Sequence, residues 1–172
     1  MRETIEPSNL KRCVPDTGSF PGHLFTCGRP GRSLGPEASV PDEIAESWID
    51  GLPPAQRVHL VSLLGSKETG KSEYSFYTFR GSGDPPDGRP IFQEWLDERY
   101  GADRFVVHEY PTVDAGDWSI PKDVVDSLLK LILPLLSEGE TVVLFDSGGS
   151  QRTRQFCNVA GFRRRPEPIA QP

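Results

Sequence analysis

An α/β fold with a central, mostly parallel sheet flanked by helices is what this sequence predicts, and three observations predict it. Apolar, β-branched runs alternate with helix-like segments, the order that crossover connections impose on parallel strands. The run "TVVLF" at 141–145 is apolar without a break, as expected of a strand covered on both faces. The segment 121–138 carries Val124, Val125, Leu128, Leu129, Ile132, Leu135 and Leu136 at helical spacing, a wide apolar face fit to cover a sheet.

Element by element, residues 1–20 are polar and contain Pro, and are expected as an irregular lead-in to a single domain at 21–162. "HLFTCGRPG" (23–31) reads as a strand ended by a Gly/Pro turn. "SVPDEIAESWIDGLP" (39–53) reads as a helix, with Pro41 in its first turn, early acids and Gly51 at its end. "RVHLVSLLG" (57–65) reads as a second strand and 67–90 as a long loop whose "YSFYTF" centre suits a strand or hairpin arm. A helix is expected over 91–103, built on Phe92, Trp95 and Leu96, with Trp48 and Trp95 as core anchors. "RFVVHEYPTVD" (104–114) is a strand running into a loop at 111–119. Pro121 opens the long helix, and Pro134 is expected to kink or shorten it. A last helix starts near Gln151, leaving a short C-terminal helical part and a basic, Pro-containing tail at 163–172 whose "RRR" is expected to be solvated.

The composition excludes some roles. A net charge of −6 and a pI of about 5.1 argue against broad binding to nucleic acid or anionic membranes. The longest apolar run is too short to span a bilayer, and "MRETIEPSNLKRC" has no apolar core of a leader segment. Cys13, Cys27 and Cys157 are odd in number and far apart, which reads as neither a disulfide framework nor a zinc site and suits a reducing, cytoplasmic setting. No metal and no cofactor is expected. His23 and His59 lack partner spacing and read as structural, and His108 in "FVVHEY" reads as a strand histidine satisfied by its neighbours rather than a ligand.

The chemistry concentrates in "TVVLFDSGGSQRTRQF" (141–156), where a buried strand runs into a Ser/Gly-rich turn and then a helix. Such a turn aims several N–H groups, reinforced by the helix dipole, at one anion. Gly148 and Gly149 allow backbone that a side chain would block. Arg152 sits in the first helical turn, placed to hold two phosphate oxygens, and Thr153 to donate its hydroxyl to the residue opening the loop. Ser147, Gly148, Gly149, Ser150, Gln151, Arg152 and Thr153 are therefore the candidate phosphate loop, with Asp146 at its mouth.

The stretch Asp146–Thr153 resembles the signature of the cysteine-dependent protein tyrosine phosphatases: His-Cys, five residues including a Gly, then Arg and Ser or Thr. The order upstream resembles the dual-specificity branch, with "LFTCGRPG" and "RVHLVSLL" similar to its early strands and "RFVVHEYPTVDAGDW" similar to the segment bearing its general acid. The resemblance implies a phosphatase scaffold over about 20–160, Arg152 as phosphate binder and Asp114, 32 residues before Asp146, as the acid, with Asp117 the other candidate. It implies a phosphorylated protein or a small phosphomonoester as partner. Three positions depart from it: Phe145 replaces the His, Asp146 the nucleophilic Cys, and Arg154 the small residue after Arg-Thr. Loss of the thiolate implies an impaired enzyme, by natural divergence or by Cys-to-Asp replacement, and the accompanying Phe145 and Arg154 favour divergence. Three alternatives stand beside it: a non-catalytic module for phospho-ligands, a metal-dependent hydrolase with Asp146 as nucleophile, and an Asp146–Ser147 pair that only caps the last helix.

Overall fold

The computed structural model describes residues 7–32, 40–64, 92–110, 112 and 120–166. Six strands and four helices alternate along it: β1 (Lys11–Pro15), β2 (His23–Gly28), α1 (Asp42–Asp50), β3 (Val58–Ser62), α2 (Phe92–Tyr100), β4 (Phe105–Glu109), α3 (Lys122–Ser137), β5 (Thr141–Asp146), α4 (Gln151–Ala160) and β6 (Phe162–Pro166). They form one sheet in the order β4-β3-β5-β2-β1-β6. The four strands β4, β3, β5 and β2 run parallel, whereas β1 is antiparallel to both its neighbours. The sheet is thus mixed and mostly parallel, as the alternation of elements predicts. The described helices include none long and apolar enough to cross a membrane.

β5 lies inside the parallel block, and its side chains alternate between two cores. Val143 and Phe145 join Phe25, Leu60, Trp48, Trp95 and Phe92 under α1 and α2. Val142 and Leu144 join Leu128, Ile132, Leu136 and Phe156 under α3 and α4. All four β5 side chains are 0% exposed, and each such burial contributes about 1.5–3 kcal/mol. The helices divide this way because the chain reverses direction across the sheet. It moves from β2 to β3 to β4 one way and returns from β4 to β5, and right-handed crossovers send the returning helix to the opposite face. The loop after β5 therefore opens where neighbouring connections diverge, the usual place for a ligand crevice.

Helix ends follow simple rules. α1 begins after Pro41 with Asp42 and Glu43 in its first turn, favourable at the positive end of the dipole. Arg99 of α2 bonds both Asp42 and Glu46 of α1, at 2.5 and 3.2 Å. α3 runs through Pro134 to Ser137 rather than ending at it. The proline lies on the exposed face, as does Lys130, whose carbonyl it deprives of a helical donor.

Two expectations are corrected at the sheet's outer edge. Residues 11–15, placed in an irregular lead-in, form β1, and 163–166, placed in a solvated tail, belong to β6. β1 is held from both sides, by β2 and by β6, so pairing overrides its weak apolar pattern.

His108, expected to be satisfied by neighbours, meets His59 with 3.0 Å between Nε2 and Nδ1 and with the rings stacked. Burial pushes His59 below the ordinary imidazole value of 6.5, opposed in part by Glu140, whose Oε2 is 3.7 Å from Nε2. Burial, and then repulsion from His59, also lowers His108. Because both are depressed, the unfolded chain takes up protons first as the pH falls. Stability present above pH 6.5 is therefore expected to fall as the pH drops through that value toward the folded pKa values. Urea midpoints measured from about pH 7.5 to about pH 5.5 check this; the slope should flatten in His108→Gln.

Candidate functional site

The loop that follows β5 folds inward on its own first residue. Asp146 ends β5 and is 2% exposed. Its Oδ1 accepts the Gly149 N–H and its Oδ2 accepts the Thr153 N–H at 3.1 Å. A carboxylate thus holds two N–H groups that a cradle of this kind offers to an anion. The Thr153 hydroxyl, expected to donate to the loop's opening residue, has no hydrogen-bond partner among the described residues; the backbone of the same residue makes that bond.

Gly149 stands at φ +70°, a conformation that disfavours side chains. Its backbone packs against Cys27 and Gly28 of β2, and Gly28 and Gly148 form an isolated antiparallel bridge. Arg29 N–H donates to the Asp146 carbonyl at 2.8 Å. The crevice between β2 and β5 is closed by these backbone contacts. The crevice between β5 and β3 is closed by Arg152. That side chain is 2% exposed, and its Nη1 donates to the Leu63 carbonyl at 2.7 Å and to Thr112 Oγ1 at 3.1 Å. Thr112 Oγ1 itself donates to the Leu63 carbonyl at 2.8 Å. A buried guanidinium must satisfy its donors, and here the chain leaving β3 accepts from it.

Several residues shape the loop without any signal in the local sequence. Asn9 Nδ2 donates to the Gly148 carbonyl at 2.7 Å, and Gly28 N–H donates to the Ser8 carbonyl at 2.7 Å. Arg164 of β6, expected in a solvated tail, bonds the Gly149 carbonyl at 2.5 Å, the Ser150 carbonyl at 3.2 Å and Thr26 Oγ1 at 3.0 Å. Arg32 is exposed, and its Nε lies 3.5 Å from where a Cβ would stand on Gly148. Ser147, Gly148 and Ser150 are partly exposed and Gln151 is exposed, so the outer rim of the loop faces solvent beside Arg32.

No cysteine stands within the loop 146–153. Burial pushes the Cys27 thiol well above its ordinary value, and the charge of Asp146 adds to the rise. Cys157 lies in α4, past the loop, and is wholly buried. Asp114, Asp117 and Trp118, together with the 67–90 loop, lie outside the described residues. Among the described residues no group of three or more His, Cys, Asp or Glu side chains is arranged to hold a metal ion. Compared with protein-family models, curated proteins and solved structures, the chain gives no significant match to any of them.

Proposed function

We propose that this chain is a protein of the tyrosine or dual-specificity phosphatase type that recognises a phosphate monoester at loop 146–153 without hydrolysing it. The observation that carries the reading is Asp146: a buried carboxylate at the loop's mouth, bonded to the N–H groups of Gly149 and Thr153. Phosphoryl transfer of this type needs a polarisable nucleophile free to attack in line with the leaving oxygen. Here the lone pairs point at N–H donors, and a carboxylate is the weaker nucleophile. An Asp-based, metal-dependent route finds no support in the described side chains around the loop. Recognition is supported by the positive end of α4 and by the exposed Arg32 guanidinium over Gly148, which together favour an anion at the rim.

A second reading has its own observation. Nη1 of Arg152, expected as the phosphate clamp, donates instead to Leu63 and Thr112, which favours a loop where Asp146 only caps α4. Two measurements separate them. Turnover of p-nitrophenyl phosphate is expected to be at background for the native chain and to rise at least about tenfold in Asp146→Cys, provided circular dichroism shows that the variant folds. Phosphate or phosphotyrosine titration followed by amide NMR is expected to shift Ser147, Gly148 and Ser150, and Arg32→Ala to weaken binding about fivefold or more. Native turnover sinks the non-hydrolysing reading, and unshifted amides leave the cap alone.

A further inference from the structure

Two of the three cysteines meet behind the loop. Cys13 on β1 and Cys157 on α4 are 144 positions apart in sequence, and their Sγ atoms are 3.2 Å apart. Both are free thiols, 4% and 0% exposed. Both belong to the core under α3 and α4, whereas Cys27 belongs to the core on the opposite face of the sheet. A cavity of about 120 Å³ reaches Cys13, lined also by Pro15, Phe20, Leu24, Leu136 and Phe162, and that is room for a molecule of the size of water or peroxide.

We propose that Cys13 and Cys157 are a redox pair that closes to an intramolecular disulfide when the protein meets hydrogen peroxide. A disulfide requires sulfurs about 2.05 Å apart, so the sulfurs must approach by about 1 Å from their present 3.2 Å, a movement within reach of side-chain rotation. Cys13 attacks the peroxide. Its sulfur takes one oxygen as the O–O bond breaks, leaving a sulfenic acid, and the other oxygen departs as water. Cys157 sulfur then attacks the Cys13 sulfur and expels the second oxygen as water. The two thiols lose two protons and two electrons, and hydrogen peroxide becomes two waters.

The surroundings select Cys13 as the attacking sulfur. Arg164 is its direct partner across the β1–β6 pairing, and Thr26 Oγ1 lies 3.9 Å from its Sγ. The contact with Cys157 holds the Cys13 thiol below its ordinary value, against burial, and Thr26 and Arg164 act in the same direction. Cys157 is pushed up by that same contact and by burial, which suits it to the second step. The crosslink joins α4, whose first turn carries Arg152 and Thr153, to the strand that pairs with the Arg164 strand. Oxidation thereby fixes both supports of the loop to each other.

The test oxidises the native full chain with hydrogen peroxide, then denatures and alkylates it without reductant. Three alkylatable thiols are expected before oxidation and one, Cys27, after it. Peptide mapping should show a Cys13–Cys157 bridge that dithiothreitol removes, with a Tm raised by several degrees in the oxidised form. Cys27→Ala should still form the bridge. Cys13→Ser and Cys157→Ser should not, and each should keep two thiols or carry a sulfenic acid. The proposal is overturned if peroxide leaves all three thiols free in the folded chain. It is equally overturned if the bridge includes Cys27 or joins two chains.

Discussion

Gly149→Ala is expected to destabilise the protein by at least about 3 kcal/mol, measured as a fall in the urea midpoint at unchanged slope. Two costs combine. A left-handed backbone costs about 1–2 kcal/mol for a residue with a Cβ, and Gly149 has φ +70°. The new methyl would also overlap the Gly28 nitrogen and the Cys27 carbonyl carbon. Those atoms are backbone of the buried strand β2, so they cannot turn aside as a side-chain tip would. The comparison that isolates the second cost is Gly139→Ala. Gly139 has φ +86° and open space around its Cβ position, so only the conformational cost, about 1–2 kcal/mol, should appear there. Equal losses at the two glycines would mean that the close packing of the loop on β2 contributes nothing. Against a total stability of about 5–15 kcal/mol, the Gly149 change removes a large share.

Asp146→Ala is expected to cost about 2–4 kcal/mol, and Asp146→Asn clearly less. Alanine leaves the N–H groups of Gly149 and Thr153 without their acceptor in a site where water is scarce, and an unsatisfied buried donor costs about 1–3 kcal/mol. Asparagine keeps one carbonyl oxygen but turns an NH₂ toward the other N–H, so one bond survives. Both variants should be followed by urea unfolding and by hydrogen exchange of the two amides. Faster exchange at Gly149 and Thr153 in both variants is the local signature, larger for Ala. If Ala and Asn lose nothing, the carboxylate is not an internal cap, and its burial must be explained by a ligand absent from the bond network described above.

How much of this was legible in the sequence follows from the range of each interaction. β5 was legible because a strand covered on both faces needs an unbroken apolar run, and "TVVLF" is one. The turn at Gly148 and Gly149 was legible because a left-handed residue beside a strand end demands glycine. β1 and β6 were not, because "KRCVP" and "FRRRP" carry little hydrophobic pattern and become strands only by pairing with each other and with β2. The direction of Arg152 was hidden for the same reason. Its acceptors, Leu63 and Thr112, are 89 and 40 residues away, and nothing near position 152 distinguishes a side chain reaching for a ligand from one reaching for the backbone. Arg164 read as tail charge because its partners at Thr26 and Gly149 come together only when the sheet forms. The segment expected to carry the general acid contains Asp114 and Asp117, which lie outside the described residues.

The arginines of β6 also bear on how copies of this chain would meet. Among the described residues β6 is the outermost strand of the sheet, and an outermost strand offers unpaired backbone groups to any other strand it touches. Arg163 and Arg165 are exposed, and Arg163 is balanced by Asp16 at 2.7 Å. Two copies approaching edge to edge along β6 would bring Arg163 and Arg165 of each strand together, the former partly offset by Asp16. That local repulsion would add to the repulsion between two chains of net charge −6 and oppose growth of the sheet from one molecule into the next.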